Sequence, residues 1–238
     1  MTTLYLVRHG ETDNNLQGCF NGSKSNQPLN ERGRAQSLCL AAPFAAIAPD
    51  AVFASPLSRA MDTAMGLCAE LDVTPAAIDA LQEMDMGDYD GVSFQRVREI
   101  DPCIMENWNR ADVQMPGGEC FSQVQARVTA ALTALVAENR GKTLAVVAHG
   151  TLIQLFLMRI WQIAWQDKIT LPILRNTGYV ALQIEDDGHF TTLCYDEVGH
   201  LSQDLLPVGK IEPRKKTARP GVGPTFVGQT LYFEGFAR

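Results

Sequence analysis

Two of the four histidines in this chain follow an apolar run and precede a glycine: Val7-Arg8-His9-Gly10 and Val147-Ala148-His149-Gly150. With an ordinary pKa of about 6.5, an imidazole is an acid, a base and a nucleophile near neutrality. Arg8 sets a permanent planar cation beside the first of them. Either histidine alone is better read as structural. Two at equivalent positions, with arginines nearby, point to one shared site. Gly10 and Gly150 would let a ligand approach the backbone closely.

These side chains need a scaffold that brings them together. Leu4-Tyr5-Leu6-Val7 reads as a short buried strand, and Leu144 to Ala148 as the strongest strand of the chain. If both are parallel and central, the two imidazoles emerge at the same sheet edge, where open α/β sheets place their ligands. Ala51 to Ala54 is a further strand, ending in Ser55-Pro56-Leu57-Ser58-Arg59. Helices are expected from the N-cap Asn30, with Pro43 interrupting, along Ala60 to Leu71, from the N-cap Ser93 until Pro102 ends that segment, from Ser122, and from Leu152 to Ile160. Ile78 to Leu81 reads as a weak strand leading to Gln82-Glu83, and residues 87–91 and 116–119 as loops. Tyr179 to Ile184 and Phe190 to Tyr195 alternate around Asp186-Asp187-Gly188, an antiparallel hairpin. The prediction is a three-layer α/β/α sandwich with a mostly parallel central sheet and antiparallel edge strands.

Composition narrows the function classes. The chain has 238 residues, 46% apolar and 20% charged, ordinary for a globular protein. It has no apolar run long enough to span a membrane, and its first strand leaves no room for a signal peptide. Six cysteines without a C-x-x-C pair suggest reduced thiols in a cytoplasmic protein. The net charge of −7 argues against nucleic acid as a partner. From Pro207 onward the chain carries +4, which leaves −11 on the rest, so an anion site in the body needs its own local cations. The expected organisation is one domain over residues 1–206, with an insertion or lid at about 84–120, and an extension over 207–238. The apolar end of that extension (Phe226 to Phe236) suits docking on the body or on a second subunit, a homodimer being one arrangement.

One ordered set of motifs covers residues 3 to 200: Arg8-His9-Gly10-Glu11-Thr12, Asn15, Asn21-Gly22, Pro28-Leu29, Ser55 to Arg59, Leu81-Gln82-Glu83, Pro116-Gly117-Gly118-Glu119 and His149-Gly150. In it the chain resembles the histidine phosphatase superfamily, in the branch of cofactor-dependent phosphoglycerate mutases and related bacterial broad-specificity phosphatases. The resemblance implies a phosphoglycerate mutase-like fold and phosphoryl transfer with no metal and no cofactor. It assigns His9 as a nucleophile forming a phosphohistidine and Glu83 as the general acid. Arg8, Arg59 and His149 would grip the phosphoryl oxygens, with Asn15, Asn21, Gly22 and the Gly10 and Gly150 backbones as further phosphate or substrate contacts. Glu11 would support the site rather than react. The substrate would be a small phosphate ester. Position 86 is Met where mutases carry a tyrosine, and no lysine lies between Glu83 and Lys142, which favours hydrolysis over mutase-type transfer. A non-catalytic phospho-ligand-binding protein is the third reading. Ser23 and Asn26 depart from the pattern's usual Trp and Asp, at the pocket rim. His189, in the hairpin turn, and His200 are read as structural, and Trp108, Trp161 and Trp165 as packing.

Overall fold

A computed structural model describes residues 1–206 and 226–237. A seven-stranded sheet forms its centre. The strands are β1 (Thr2–Arg8), β2 (Ala51–Ala54), β3 (Ala76–Ala77), β4 (Thr143–Ala148), β5 (Tyr179–Ile184), β6 (His189–Glu197) and β7 (Thr230–Tyr232), in the spatial order β3-β2-β4-β1-β5-β6-β7. The first four are mutually parallel and the last three antiparallel. The helices are α1 (Asp13–Gln17), α2 (Glu31–Leu38), α3 (Ala41–Ile47), α4 (Ser58–Leu67), α5 (Phe94–Ile100), α6 (Pro102–Glu106), α7 (Phe121–Glu138) and α8 (Gly150–Ile160).

Alternation along the central strands makes the three layers. Leu4 and Leu6 of β1, with Leu144 and Val146 of β4, pack with Val124, Val128 and Leu132 of α7 and Leu152, Leu155 and Phe156 of α8. Val7, Ala145 and Val147 face the other way, onto Phe44 of α3 and Ala60, Ala64 and Leu67 of α4. With both faces covered, β1 and β4 carry apolar residues at nearly every position, as the sequence shows.

Several local expectations differ. Ile78 to Leu81 is not a strand. Pairing with β2 occurs two residues earlier, at Ala76–Ala77, and Asp79–Leu81 is a 3₁₀ turn. The alanines of this short edge strand offer little β signal. Pro102 does close α5, but it also opens α6 at its first position, where its missing N–H costs nothing. The long helix begins at Phe121 rather than Ser122. Its N-cap is Cys120, whose N–H donates to Gln123 Oε1 at 2.8 Å.

The described end of the C-terminal extension lies on the body. β7 pairs with β6, Phe226 stacks on Trp161 at 4.9 Å, and Phe236 is buried against Phe156 and Phe190. The proline-rich basic stretch 207–225 lies outside the described residues. All six cysteines are free thiols, and no described helix is long and apolar enough to cross a membrane.

Candidate active site

Register brings the two histidines together. β1 and β4 are parallel with Val7 opposite Val147 and Arg8 opposite Ala148, so the next residue of each strand is a histidine facing its counterpart. The ring centroids of His9 and His149 are 5.2 Å apart. β2 lies on the far side of β4, and the turn at its end leads into α4, whose first turn carries Arg59. His9, Arg59, Glu83 and His149 are all buried.

The two imidazoles differ in their bonding. His9 Nδ1 lies 2.6 Å from the carbonyl oxygen of Gly10. A carbonyl only accepts, so Nδ1 carries the proton and Nε2 keeps its lone pair. Neither ring nitrogen of His149 has a protein partner. Burial is the largest influence on both rings and, with the fields of Arg59 and Arg8, holds their pKa values well below the ordinary one. Both shifts favour the neutral imidazole.

Arg59 is fully buried. It donates from Nη2 to the carbonyls of Asn21 (3.1 Å) and Gly22 (2.9 Å) and from Nη1 to that of Ser25 (3.3 Å). Arg8 donates from Nη1 to Leu174 O at 2.7 Å. The Nε of each guanidinium is buried without a protein partner. Both forks are thus anchored at one end with a donor edge left over. Burial lowers the Arg59 pKa to about 10, still charged at neutrality, against the supporting field of Glu83.

Glu83 accepts from the backbone N–H of Met84 (2.8 Å) and from that of Thr151 (3.1 Å), in the first turn of α8. Its pKa is nonetheless raised: burial outweighs those two bonds and the two arginine charges. Burial thus favours the protonated carboxyl before any anion arrives. Arg127 of α7 fixes the approach to this residue by donating from Nη1 to the carbonyls of Ala80 and Gln82, both at 2.8 Å, and by a double contact to Glu119. Glu119 in turn accepts from Asp85 N at 2.9 Å. The Pro116–Glu119 loop therefore buttresses Glu83. Gly87 is indispensable there, because its φ is +55° and a Cβ would lie 1.9 Å from Pro116 O.

Several predicted contacts have other duties. Gly10 N–H donates to Thr63 Oγ1 at 2.9 Å, and a Cβ on Gly10 would sit 2.6 Å from Gly33 O, so this glycine admits α2 rather than a ligand. Gly22 N–H donates to Asp90 at 2.8 Å, and Asn21 directs its NH2 to Thr12 Oγ1 at 2.9 Å. These two shape the rim loop that holds Arg59, and the Gly22 N–H is spent on Asp90. Asn15 Oδ1 accepts from Thr12 N and from Asn176 Nδ2, which turns its NH2 away from both. Gly150 opens α8 against Arg8: a Cβ would meet Ile173 Cγ2 at 2.5 Å and Arg8 Nε at 3.3 Å. Glu11 accepts from Asn30 Nδ2 at 3.0 Å, a supporting role. His200 meets Thr177 Oγ1 at 3.1 Å and stacks on Tyr179, while exposed His189 pairs with Asp187.

Asn176 and Thr177 reach the site without a local sequence motif to mark them. Asn176 donates to His9 O (3.0 Å) as well as to Asn15. Thr177 sits at φ +57° and donates its N–H to Arg8 O at 3.0 Å. A non-glycine residue in that region is strained, and it lies directly behind the reactive strand end.

An α/β/α protein that ends two parallel neighbours in His-Gly, and surrounds them with guanidinium groups, belongs to a class built to bind and react with a small anion at a sheet edge. The chain belongs to the histidine phosphatase superfamily (branch 1), whose model matches residues 4–197. It is 32% identical over 190 residues to a 2,3-bisphosphoglycerate-dependent phosphoglycerate mutase of Rhizobium etli, covering 75% of this chain and 90% of that one. It is 31% identical over 210 residues to a metal-independent phosphoserine phosphatase of Arabidopsis thaliana, covering 84% and 87%. Among solved structures it is similar to Bacillus stearothermophilus YhfR, with a TM-score of 0.78 and 27% identity, over 84% of this chain and 99% of that one. The match spans only 43% of the length of the mycobacterial relatives it resembles at 36% identity.

Proposed function

We propose that this protein is a phosphoric monoester hydrolase that opens a small phosphorylated metabolite through a phosphohistidine, without a metal. One observation carries the reading. Arg8 Nε, Arg59 Nε and both His149 nitrogens are buried without protein partners around a histidine whose tautomer is fixed. Buried donors left unpaired are costly, and a phosphoryl group supplies the oxygens to pair the two guanidinium Nε–H groups and the one N–H of a neutral His149.

His9 Nε2 attacks phosphorus, forming the P–N bond as the P–O bond to the leaving group breaks. Glu83 gives its proton to the departing alkoxide. Arg8, Arg59 and His149 stabilise charge on the equatorial oxygens, strongest in the transition state. Water then attacks the phosphohistidine, the Glu83 carboxylate takes its proton, and the P–N electron pair returns to Nε2. A neutral His9 and a protonated Glu83 are the starting states this sequence needs, and burial favours both.

Mutase-type transfer is the second reading, supported by the likeness to the Rhizobium enzyme. Against it, Met86 occupies the position of the mutases' tyrosine and is buried against Gly22. We further assign residues 1–206 to the catalytic domain, place the enzyme in the cytoplasm and take a homodimer as its candidate assembly. A panel of phosphoglycerates, sugar phosphates, nucleotides and aryl phosphates tests the reading. Release of inorganic phosphate from at least one is expected; 2,3-bisphosphoglycerate-dependent interconversion of phosphoglycerates without net release would favour the mutase, and no turnover of any would contradict both.

A further inference from the structure

Arg59 is a fully buried cation whose fork rests on carbonyls alone: no carboxylate makes an ion pair with it among the described residues. Those carbonyls belong to Asn21, Gly22 and Ser25, so one short loop sets where its unspent Nε–H lies. Asp90, from the turn-rich loop after Glu83, fixes the shape of that loop. Its Oδ1 accepts from the Gly22 N–H at 2.8 Å and from the Ser25 hydroxyl at 2.6 Å, and its Oδ2 accepts from the Ser25 N–H at 2.8 Å. Each oxygen thus meets a backbone N–H, which a carboxylate satisfies and an amide, with a donor in place of one oxygen, does not. Gly22 and Ser25 therefore face two ways, accepting from the guanidinium and donating to Asp90. Backbone bonds hold Asp90 in register: Phe20 N–H donates to Val92 O, Gly91 N–H to Phe20 O and Phe94 N–H to Gly18 O, all at 2.9 Å. The packing leaves no slack, since a Cβ on Gly22 would lie 2.8 Å from Met84 O and 3.0 Å from Asp90 Oδ2. The far end of the loop is tied by Asn26, whose Oδ1 accepts from the Ser58 N–H at 2.8 Å, one residue before Arg59. Burial lowers the Arg59 pKa to about 10, and the charges that oppose this are those of Glu83 and then Asp90.

We propose that Asp90 is a positioning residue for phosphoryl transfer: it moulds the 21–25 loop so that the carbonyls of Asn21, Gly22 and Ser25 together hold the Arg59 fork with its Nε–H edge free for a phosphoryl oxygen. Asp90 does not itself meet the ligand, because both of its oxygens are spent on the loop. Its own charge is unfavourable to an anion nearby, so its contribution runs through Arg59 or not at all. Removing the carboxylate strands two backbone donors, and the carbonyls of the same two residues then lose their place under the guanidinium. The inference rests on the hydrolase reading and adds a residue to the same site.

The test measures kcat/KM for p-nitrophenyl phosphate and the inhibition constant of inorganic phosphate in wild type, Asp90→Asn and Ser25→Ala, each made also in an Arg59→Met background, with circular dichroism to confirm folding. Asp90→Asn should lower kcat/KM by about tenfold or more and weaken phosphate binding in parallel. Ser25→Ala, which removes one of the three bonds, should cause a smaller loss in the same direction. In the Arg59→Met background both losses should shrink below about twofold, since no fork is left to position. Losses of equal size with and without Arg59, tighter phosphate binding in Asp90→Asn, or a lower melting temperature with unchanged kcat/KM would each overturn the proposal. Should Asp90→Asn not fold, Ser25→Ala carries the comparison; should Arg59→Met not fold, Arg59→Lys, which lacks the fork, replaces it, under the same criteria. Should wild type turn over no phosphate ester, the hydrolase reading fails instead. Asp90 is then judged by calorimetry of inorganic phosphate binding: a loss of affinity in Asp90→Asn that disappears without Arg59 sustains the proposal, and any other pattern overturns it.

Discussion

The two strand-His-Gly ends have nearly the same sequence and lie side by side, yet they are bonded differently. His9 is clamped: its Nδ1 is spent on Gly10 O, its carbonyl accepts from Asn176, and strained Thr177 bonds the residue before it. His149 is held by its backbone, as the N-cap of α8, with both ring nitrogens unspent. A fixed tautomer with a free lone pair is what a nucleophile requires, whereas unspent nitrogens suit a group that meets the ligand's oxygens. Position on the sheet is shared. The second layer of hydrogen bonds, supplied by residues 10 and 175–178 on one side only, separates the roles.

Exchanging or removing the two side chains tests that asymmetry. His9→Ala should lower kcat on p-nitrophenyl phosphate by about 10⁴-fold or more, because no other group can take over the covalent step. Circular dichroism should show an unchanged fold. His149→Ala should cost about 10²- to 10³-fold, the scale of one lost transition-state donor. If the two losses were equal, or reversed, the assignment of roles would be wrong.

The arrangement behind the proposed roles is only partly legible in the sequence. The paired apolar strands, the helix after Ser55–Arg59 and the glutamate after Leu81-Gln82 are local patterns, and each lands at the pocket. The supports are not local. Arg127 reads as one polar residue on an amphipathic helix, yet it holds the carbonyls of Ala80 and Gln82. Asn176 carries no local signal, yet it reaches back 167 positions to His9. No period or composition reveals such contacts, since tertiary packing alone creates them. The same limit misplaced β3, whose alanines pair only because β2 offers an edge.

Removing Asn176 probes the clamp itself. Asn176→Ala should reduce kcat about tenfold with a smaller change in KM, and its effect should vanish in a His9→Ala background when ligand binding is measured. Equal loss of vanadate or phosphate affinity in both backgrounds would assign Asn176 to the ligand rather than to His9.

The smallest effect is on stability. Both imidazoles are kept neutral by burial, so below about pH 6.5 the unfolded chain takes up protons that the folded one refuses. Their contribution is intact above that pH and is lost as the pH falls toward their depressed folded values, by up to about 1.4 kcal/mol per pH unit for each ring. Glu83, raised in the fold, contributes in the opposite direction: its share is present below the ordinary carboxylate range and declines as pH rises through its folded value. The readout is therefore a difference. Urea unfolding at pH 7 and pH 5 should show a larger loss for wild type than for the double variant His9→Gln/His149→Gln. An equal loss would mean that the two rings are not held neutral in the fold.

The most direct measurement is to trap the intermediate. In Glu83→Gln the base for the second step is gone, so a phosphoryl group transferred from p-nitrophenyl phosphate should remain on the enzyme. Alkaline quench and mass spectrometry of the peptides should find it on His9, in near-stoichiometric amount, and nowhere on the peptide carrying His149. A phosphoryl group on His149, or none on either histidine during active turnover of the wild-type enzyme, would contradict the account.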